Sequence, residues 1–130
     1  NLMPADFQSK VKSVKKLSNN DGGGIENKNA AVTETVDKLF LLSYSEIVPT
    51  SYWASSYPST SSEGTQYEVF RGKVINNKGN NDYLKIGDYW WERSVYPGYS
   101  MYFLGIYSSG NPSGNFNATS TICVCPAFCF

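Results

Sequence analysis

The last third of the chain constrains its fold most. Residues 88–94 read Asp-Tyr-Trp-Trp-Glu-Arg-Ser, and residues 122–130 read Ile-Cys-Val-Cys-Pro-Ala-Phe-Cys-Phe. Both segments are apolar enough to seek a core, yet the run between them is almost entirely Tyr, Ser, Asn and Gly. Tyr89 to Ser94 reads as a strand, because aromatic residues suit a pleated, half-buried surface. One of Trp90 and Trp91 is expected in the core and the other as a lid. Leu104 and Ile106 alternate as the inward side of a second strand, with Phe103, Gly105 and Tyr107 on its other side. Ser108 to Asn111 suits a hairpin turn, since Gly110 adopts positive φ without penalty. Ile122, Val124 and Phe128 are expected to return to the core as a final strand.

The upstream chain reads as short helices and loops. Pro4 suits a first helical turn, and Phe7, Val11 and Val14 recur at helical spacing, with Val14 to Leu17 open to a strand instead. Residues 19–29, with three consecutive glycines, cannot bury a face and read as a loop. Leu39 to Leu42 is a continuous apolar run expected of a strand buried on both faces. Ser43 and Glu46 have capping-box spacing, so a short helix should start at Ser43 and stop by Pro49. Residues 50–65 read as a loop pinned by Trp53. Tyr67, Phe70 and Val74 suggest a helix over 66–73, and 76–82 reads as a polar turn. The fold class expected is α+β, with short helices flanking small antiparallel sheets and a large loop content.

At 130 residues the chain has material for one hydrophobic core, and 1–130 is expected to form a single domain. Eleven Lys and Arg offset eleven Asp and Glu, which leaves no electrostatic handle for nucleic acid. The one basic run, Lys10 to Lys16, alternates with apolar residues and reads as the wet side of a half-buried element. No apolar window approaches the roughly 20 residues of a membrane helix, so no membrane insertion is expected. The sequence starts at Asn1 without an initiator Met, as expected of a mature form or a domain cut from a longer chain.

Chemistry is scarce. The absence of His rules out a His-assisted nucleophile, and the acids Glu46, Glu63, Glu68, Asp82, Asp88 and Glu92 are scattered as solvated surface residues usually are. Gly22 to Gly24 lacks the Lys-Ser/Thr and the preceding strand of a phosphate loop. Cys123, Cys125 and Cys129 are an odd set with poor disulfide spacing, and they read as thiols packed as small hydrophobes. No metal or other cofactor is expected. By contrast, Tyr96, Tyr99, Tyr102, Phe103 and Tyr107 are interleaved with Ser100, Ser109, Asn111, Asn115 and Asn117. Tyrosine gives large contact area at low rotamer cost, while Ser, Gly and Asn give adaptable hydrogen bonds, which is the composition of a binding surface. An ordinary Tyr-rich β surface has the same composition.

Trp90 to Ser94, Gly110 and Cys123 to Ala127 resemble a bacterial and phage domain family of uncharacterised function, whose members carry Trp-Trp-Leu-Arg-Ser, a later Gly, and a closing Gly-Val-Arg-Pro-Ala. Lys38 to Glu46 resembles that family's upstream strand-and-helix signature. The family in turn resembles the C-type-lectin-like fold of formylglycine-generating enzymes and of the variable proteins of diversity-generating retroelements. In the latter, adenines at the 3′ end of the gene are scrambled, and the altered codons fall on a ligand-binding face held by core strands.

The resemblance implies a non-enzymatic, C-type-lectin-like domain with a variable region over 88–123. Its ligand would be a protein or glycan on another cell, and the chain would be displayed on a bacterial surface or phage particle within a longer protein. The implied contact residues are Glu92, Tyr96, Tyr99, Ser100, Tyr102, Phe103, Tyr107, Ser109, Asn111, Asn115 and Asn117. Glu92 replaces the family's Leu, as a diversified outward position would. Cys123 replaces a Gly, and Cys125 replaces an Arg that would tie the last strand to a neighbour. The alternatives are a structural module of a phage or cell-surface protein, and an oxidase of the formylglycine-generating type using Cys125 and Cys129.

Overall fold

The computed structural model describes residues 3–20, 31–49, 57–78, 81–97, 99 and 101–130. The glycine run at 22–24, Trp53 and Ser100 lie outside these residues.

Helix α1 covers Ala5–Lys10 behind Pro4, and strand β1 (Val14–Asn19) follows it. Of the two readings of residues 14–17, the strand is the one formed, because Val32–Asp37 (β2) supplies an antiparallel partner in continuous register from Val14↔Asp37 to Asn19↔Val32. The upstream strand is therefore the polar Val-Thr-Glu-Thr-Val-Asp, whereas among the described residues the apolar run Leu39 to Leu42 makes only an isolated bridge, Phe40 to Ala127.

Helix α2 is one turn, Tyr44–Ile47, and its capping box forms as predicted, with the Ser43 amide donating to Glu46 Oε2 at 2.9 Å. Residues 58–63 make a 3₁₀ helix, Pro58–Glu63, with Pro58, Ser59, Thr60 and Glu63 buried, where a loop was expected. The helix expected over 66–73 is replaced by successive tight turns, closed by Phe70 N to Tyr67 O and Lys73 N to Phe70 O. Gln66 holds them in place, its Nε2 donating to Ile47 O at 2.9 Å and Val74 O at 2.7 Å. A second 3₁₀ turn, Asp82–Leu84, precedes the main sheet.

That sheet runs in the order β3 (Trp90–Val95), β4 (Tyr102–Ile106), β5 (Gly114–Asn117), all antiparallel, with an irregularity in β3 between Trp91 and Val95. Side chains alternate across it. Trp90, Glu92 and Ser94 are buried and Trp91, Arg93 and Val95 are half-buried, so Trp90 is the core tryptophan. Its indole N–H donates to Leu84 O at 2.9 Å. Leu104 and Ile106 join it as expected, and with Tyr44, Ile47, Val48, Val74 and Leu84 they form the core between α2 and the inner sheet face. Gly110, at φ 80°, closes the hairpin as predicted. Gly105 has a different purpose, because a Cβ there would lie 2.8 Å from the Phe116 ring, so its bare backbone is what lets that ring cross the sheet.

The C-terminal segment corrects one expectation. Residues 122–130 form a strap tied by single bridges, Trp90 to Cys123, Phe40 to Ala127 and Lys12 to Cys129, and not a core strand. Pro126 has no N–H to sustain a ladder. Accordingly Val124 is 63% exposed and Phe128 40%, the latter meeting Phe7 and Phe130 edge-on with ring centroids 4.9 and 5.3 Å away. The fold is thus α+β, with two small antiparallel sheets, short helices and extensive loops.

Candidate functional site

The main sheet gathers its aromatic residues into two groups on opposite faces. At the inner margin, Tyr96, Tyr99, Tyr102 and Asn115 line a hollow of about 260 Å³. Tyr96 and Tyr99 stack nearly parallel at 5.9 Å, and Tyr102 stands across both, at 71° to Tyr96 and 78° to Tyr99. The group is rooted in the core, since Tyr96 meets Tyr57 at 5.7 Å and Tyr57 meets Tyr44 at 5.4 Å. Its outer member is open to solvent, with Tyr99 62% exposed. Burial, with Tyr96 and Glu92 adding to it, pushes the Tyr57 hydroxyl up to about 12, so this root stays a neutral phenol.

On the outer face, Phe116 crosses Gly105 and meets Tyr107 at 5.3 Å, Tyr89 at 5.6 Å and Trp91 at 5.9 Å. Trp91 and Phe103 then wall a cleft of about 340 Å³ shared with Leu41, Glu92, Arg93 and Ala118. The predicted lid tryptophan is this Trp91.

The residues expected to make contacts therefore divide. Tyr96, Tyr99, Tyr102 and Asn115 converge on the hollow, while Phe103 and Tyr107 belong to the outer face. Ser109 is exposed at the hairpin tip. Asn111 and Asn117 spend their side-chain oxygens locally: Asn111 Oδ1 accepts from Ser113 N and Oγ at 3.0 and 2.7 Å, and Asn117 Oδ1 from Thr119 N and Oγ1 at 3.0 and 2.9 Å. Glu92 is a correction. It is 1% exposed and faces inward between Trp90 and Ser94, because strand alternation places even positions of β3 on the core side. Sequence reasoning also missed Tyr89 and Phe116 as members of the outer aromatic group. The alternation around Gly105 was the signal that could have placed Phe116.

Beneath the sheet lies a buried ionic network that the scattered acids did not announce. Lys16, read as the wet side of β1, is 6% exposed, its Nζ 2.7 Å from Glu46 Oε1, hydrogen-bonded to Tyr67 Oη and 3.9 Å above the Phe40 ring. Arg93 Nη1 reaches Glu46 Oε2 at 3.0 Å and Leu41 O at 2.5 Å, and its Nε donates to Leu17 O at 3.1 Å. It thereby clamps β1, α2 and β3 together. Burial pulls the Glu46 carboxyl upward, but hydrogen bonds from Arg93, Lys16 and the Ser43 amide outweigh it and hold Glu46 below the usual carboxylate range.

Glu63 is compensated only in part, and Glu92 not at all. Glu63 accepts from Ser94 Oγ at 2.5 Å and Asn19 N at 3.0 Å, yet burial pushes it up to about 7. Both Glu92 oxygens are without a hydrogen-bond partner among the described residues, and burial, then the nearby Glu63, drive its pKa well above the ordinary value. Burial thus favours the protonated form of Glu92 over the carboxylate.

The cysteines are free and half-buried, Cys123 and Cys125 packing against the core. Burial, then Cys123, raises the Cys125 thiol, making it a poorer nucleophile at neutral pH. Among the described residues no three His, Cys, Asp or Glu side chains stand where they could share a metal ion, and no helix is long and apolar enough to cross a membrane. No curated protein and no solved structure matches the chain. The family DUF6273, described as a domain of unknown function, matches residues 1–130, and the chain belongs to it.

Proposed function

We propose that this chain is a non-enzymatic, C-type-lectin-like ligand-binding domain, in which the tyrosine hollow and its rim take a protein or glycan displayed on another cell. The observation that carries the reading is the convergence of Tyr96, Tyr99, Tyr102 and Asn115 around one hollow, with Tyr99 left exposed. Large exposed aromatic residues on a rooted scaffold bind at low entropic cost, because their rings have few rotamers to lose. In this reading residues 88–123 form a region diversified by a retroelement, and Glu92 belongs to the scaffold.

Sequencing the 3′ end of the encoding gene in its native population tests the diversification. Substitutions at adenines that cluster in the codons of the hollow, and spare those of Trp90, Glu92 and Arg93, are expected. An invariant 3′ end refutes it. Binding itself is tested on protein and glycan arrays with the intact chain and its Tyr99→Ala variant, which is expected to lose at least tenfold in affinity for any ligand found.

The exposed Phe128 and Phe130, packed edge-on against the half-buried Phe7, favour a second reading, a structural module seated against a neighbouring subunit. It predicts self-association that Phe130→Ser abolishes, measured by sedimentation.

A further inference from the structure

β5 is an edge strand of the main sheet, and among the described residues no strand pairs with its far side. In an antiparallel ladder, residue pairs that exchange hydrogen bonds alternate with pairs that do not. The Ala118 amide donates to Met101 O at 2.9 Å, which sets the phase. In the register Phe103↔Phe116 and Gly105↔Gly114, those pairs face each other with their backbone groups. Asn115 and Asn117, opposite Leu104 and Tyr102, then turn theirs away from β4. The opposite phase of β4 agrees, because Tyr102 O accepts from Tyr96 N at 2.9 Å, on the β3 side. Asn117 O is taken by Ser120 N at 2.8 Å. The Asn115 N–H, the Asn115 C=O and the Asn117 N–H remain directed outward, with no partner among the described residues.

This edge lacks most devices that blunt exposed strands. Gly-Asn-Phe-Asn contains no Pro, no Lys and no bulge, and only its shortness limits pairing. It also lies between the two aromatic surfaces. On one side the Asn115 side chain borders the tyrosine hollow, and on the other Ala118 lines the outer cleft while Phe116 packs against its Trp91 wall. An added strand presents alternate side chains to opposite faces, so its residues would meet each surface in turn. Backbone bonds to an open edge, with pockets for alternate side chains, are what β-strand addition requires.

We propose that the β5 edge docks an extended peptide segment of a partner protein, which adds as a fourth strand and places a large apolar side chain in the hollow of Tyr96, Tyr99 and Tyr102. The proposal rests on the binding reading above and narrows it to a protein ligand. A second copy of this chain fits less well. Pairing β5 with itself would offer the hollow only Asn115 and Asn117, which are short and polar, while the Phe116 ring is already held by Tyr107, Tyr89 and Trp91 on the other face.

Selection of random nine-residue peptides displayed on phage against the intact chain tests this. Enriched peptides should carry a large apolar residue and slow amide exchange at Asn115 and Asn117 at least tenfold. N-methylation of the peptide at alternate amides should weaken binding at least tenfold, as should Asn115→Pro in the chain. The methylated peptides leave the protein unaltered, so the test survives even if that variant fails to fold. Affinity unchanged by methylation at every position, or protection confined to other strands, overturns the proposal, as does failure to enrich any peptide. Self-association abolished by Asn115→Pro, with no peptide enriched, assigns the edge to a second copy. Glycan binding through Tyr99 without peptide binding overturns strand addition while leaving the binding reading intact.

Discussion

Replacing Glu63 by Gln should make the protein less stable in acid and more stable in base than the wild type. Glu63 is buried, and its pKa rises from 4.5 to about 7 on folding. The folded state therefore binds the proton more tightly than the unfolded chain. The stability this contributes is fully present below pH 4.5 and is lost as pH rises through about 7. At about 1.4 kcal/mol per pKa unit, the loss is roughly 3 kcal/mol, most of it between pH 5 and 8.5. Glu63→Gln removes the titration and keeps the shape. Its cost is one hydrogen bond, because the amide keeps a single accepting oxygen where the two carboxylate oxygens accept separately from Ser94 Oγ and the Asn19 N–H, and that is worth about 1 kcal/mol. The variant should thus be about 1 kcal/mol less stable near pH 4.5 and about 2 kcal/mol more stable at pH 8.5. Urea unfolding of both proteins from pH 4.5 to 9, followed by tryptophan fluorescence, reads the difference directly. Parallel profiles without a crossing would refute the reasoning, because they would mean that Glu63 ionises in the folded protein as easily as in the unfolded chain.

Lys16→Met should destabilise by about 3 kcal/mol by leaving Glu46 buried with only Arg93 as its cation. Because the Glu46 pKa is lowered on folding, its contribution is present above the unfolded value and lost as pH falls, so the variant should also show a shallower acid limb in the same urea series. Gly110→Ala should cost at least about 2 kcal/mol, read as a lower thermal midpoint, since φ is 80° and the new Cβ would lie 2.1 Å from Asn81 O. Tyr99→Ala, by contrast, should move stability by less than about 1 kcal/mol, as its ring is mostly exposed.

How far the sequence reveals this molecule depends on the range of the interaction involved. The Ser43–Glu46 capping box, the Gly110 turn and the inward Leu104 and Ile106 are set by residues within a few positions of each other, and they form as the local pattern dictates. Lys16 and Glu92 look like surface charges because nothing adjacent in sequence indicates a partner. Lys16 is buried by Glu46, 30 residues away, and Glu92 by the alternation of a strand whose core side was assigned only to its tryptophan. The C-terminal strap misleads for a related reason: its apolar composition suits a strand, but among the described residues it finds only single bridges and not the ladder partner a strand needs. Most of the hollow was legible, since Tyr96, Tyr99, Tyr102 and Asn115 were all singled out. The way the candidate positions divide between two faces depends on the β4–β5 register, which composition does not contain.

That division predicts which candidate positions tolerate change. Asn115 and Tyr99 make no side-chain hydrogen bond among the described residues, so replacing them removes only surface contacts. Asn111 and Asn117 each hold a turn through two hydrogen bonds to Oδ1, and a residue without that acceptor leaves both donors to water and frees the turn. Such a loss costs about 1 kcal/mol per hydrogen bond. A saturation library over residues 96–117, displayed on yeast and sorted for folded protein, should therefore accept nearly any residue at 99 and 115 and keep Asn or Asp at 111 and 117. Composition treats the three asparagines as equivalent binding residues, but hydrogen bonding makes one of them surface and two of them scaffold. Equal tolerance at all three would show that the turns are held by their backbone alone, and the distinction between surface and scaffold would have to be redrawn.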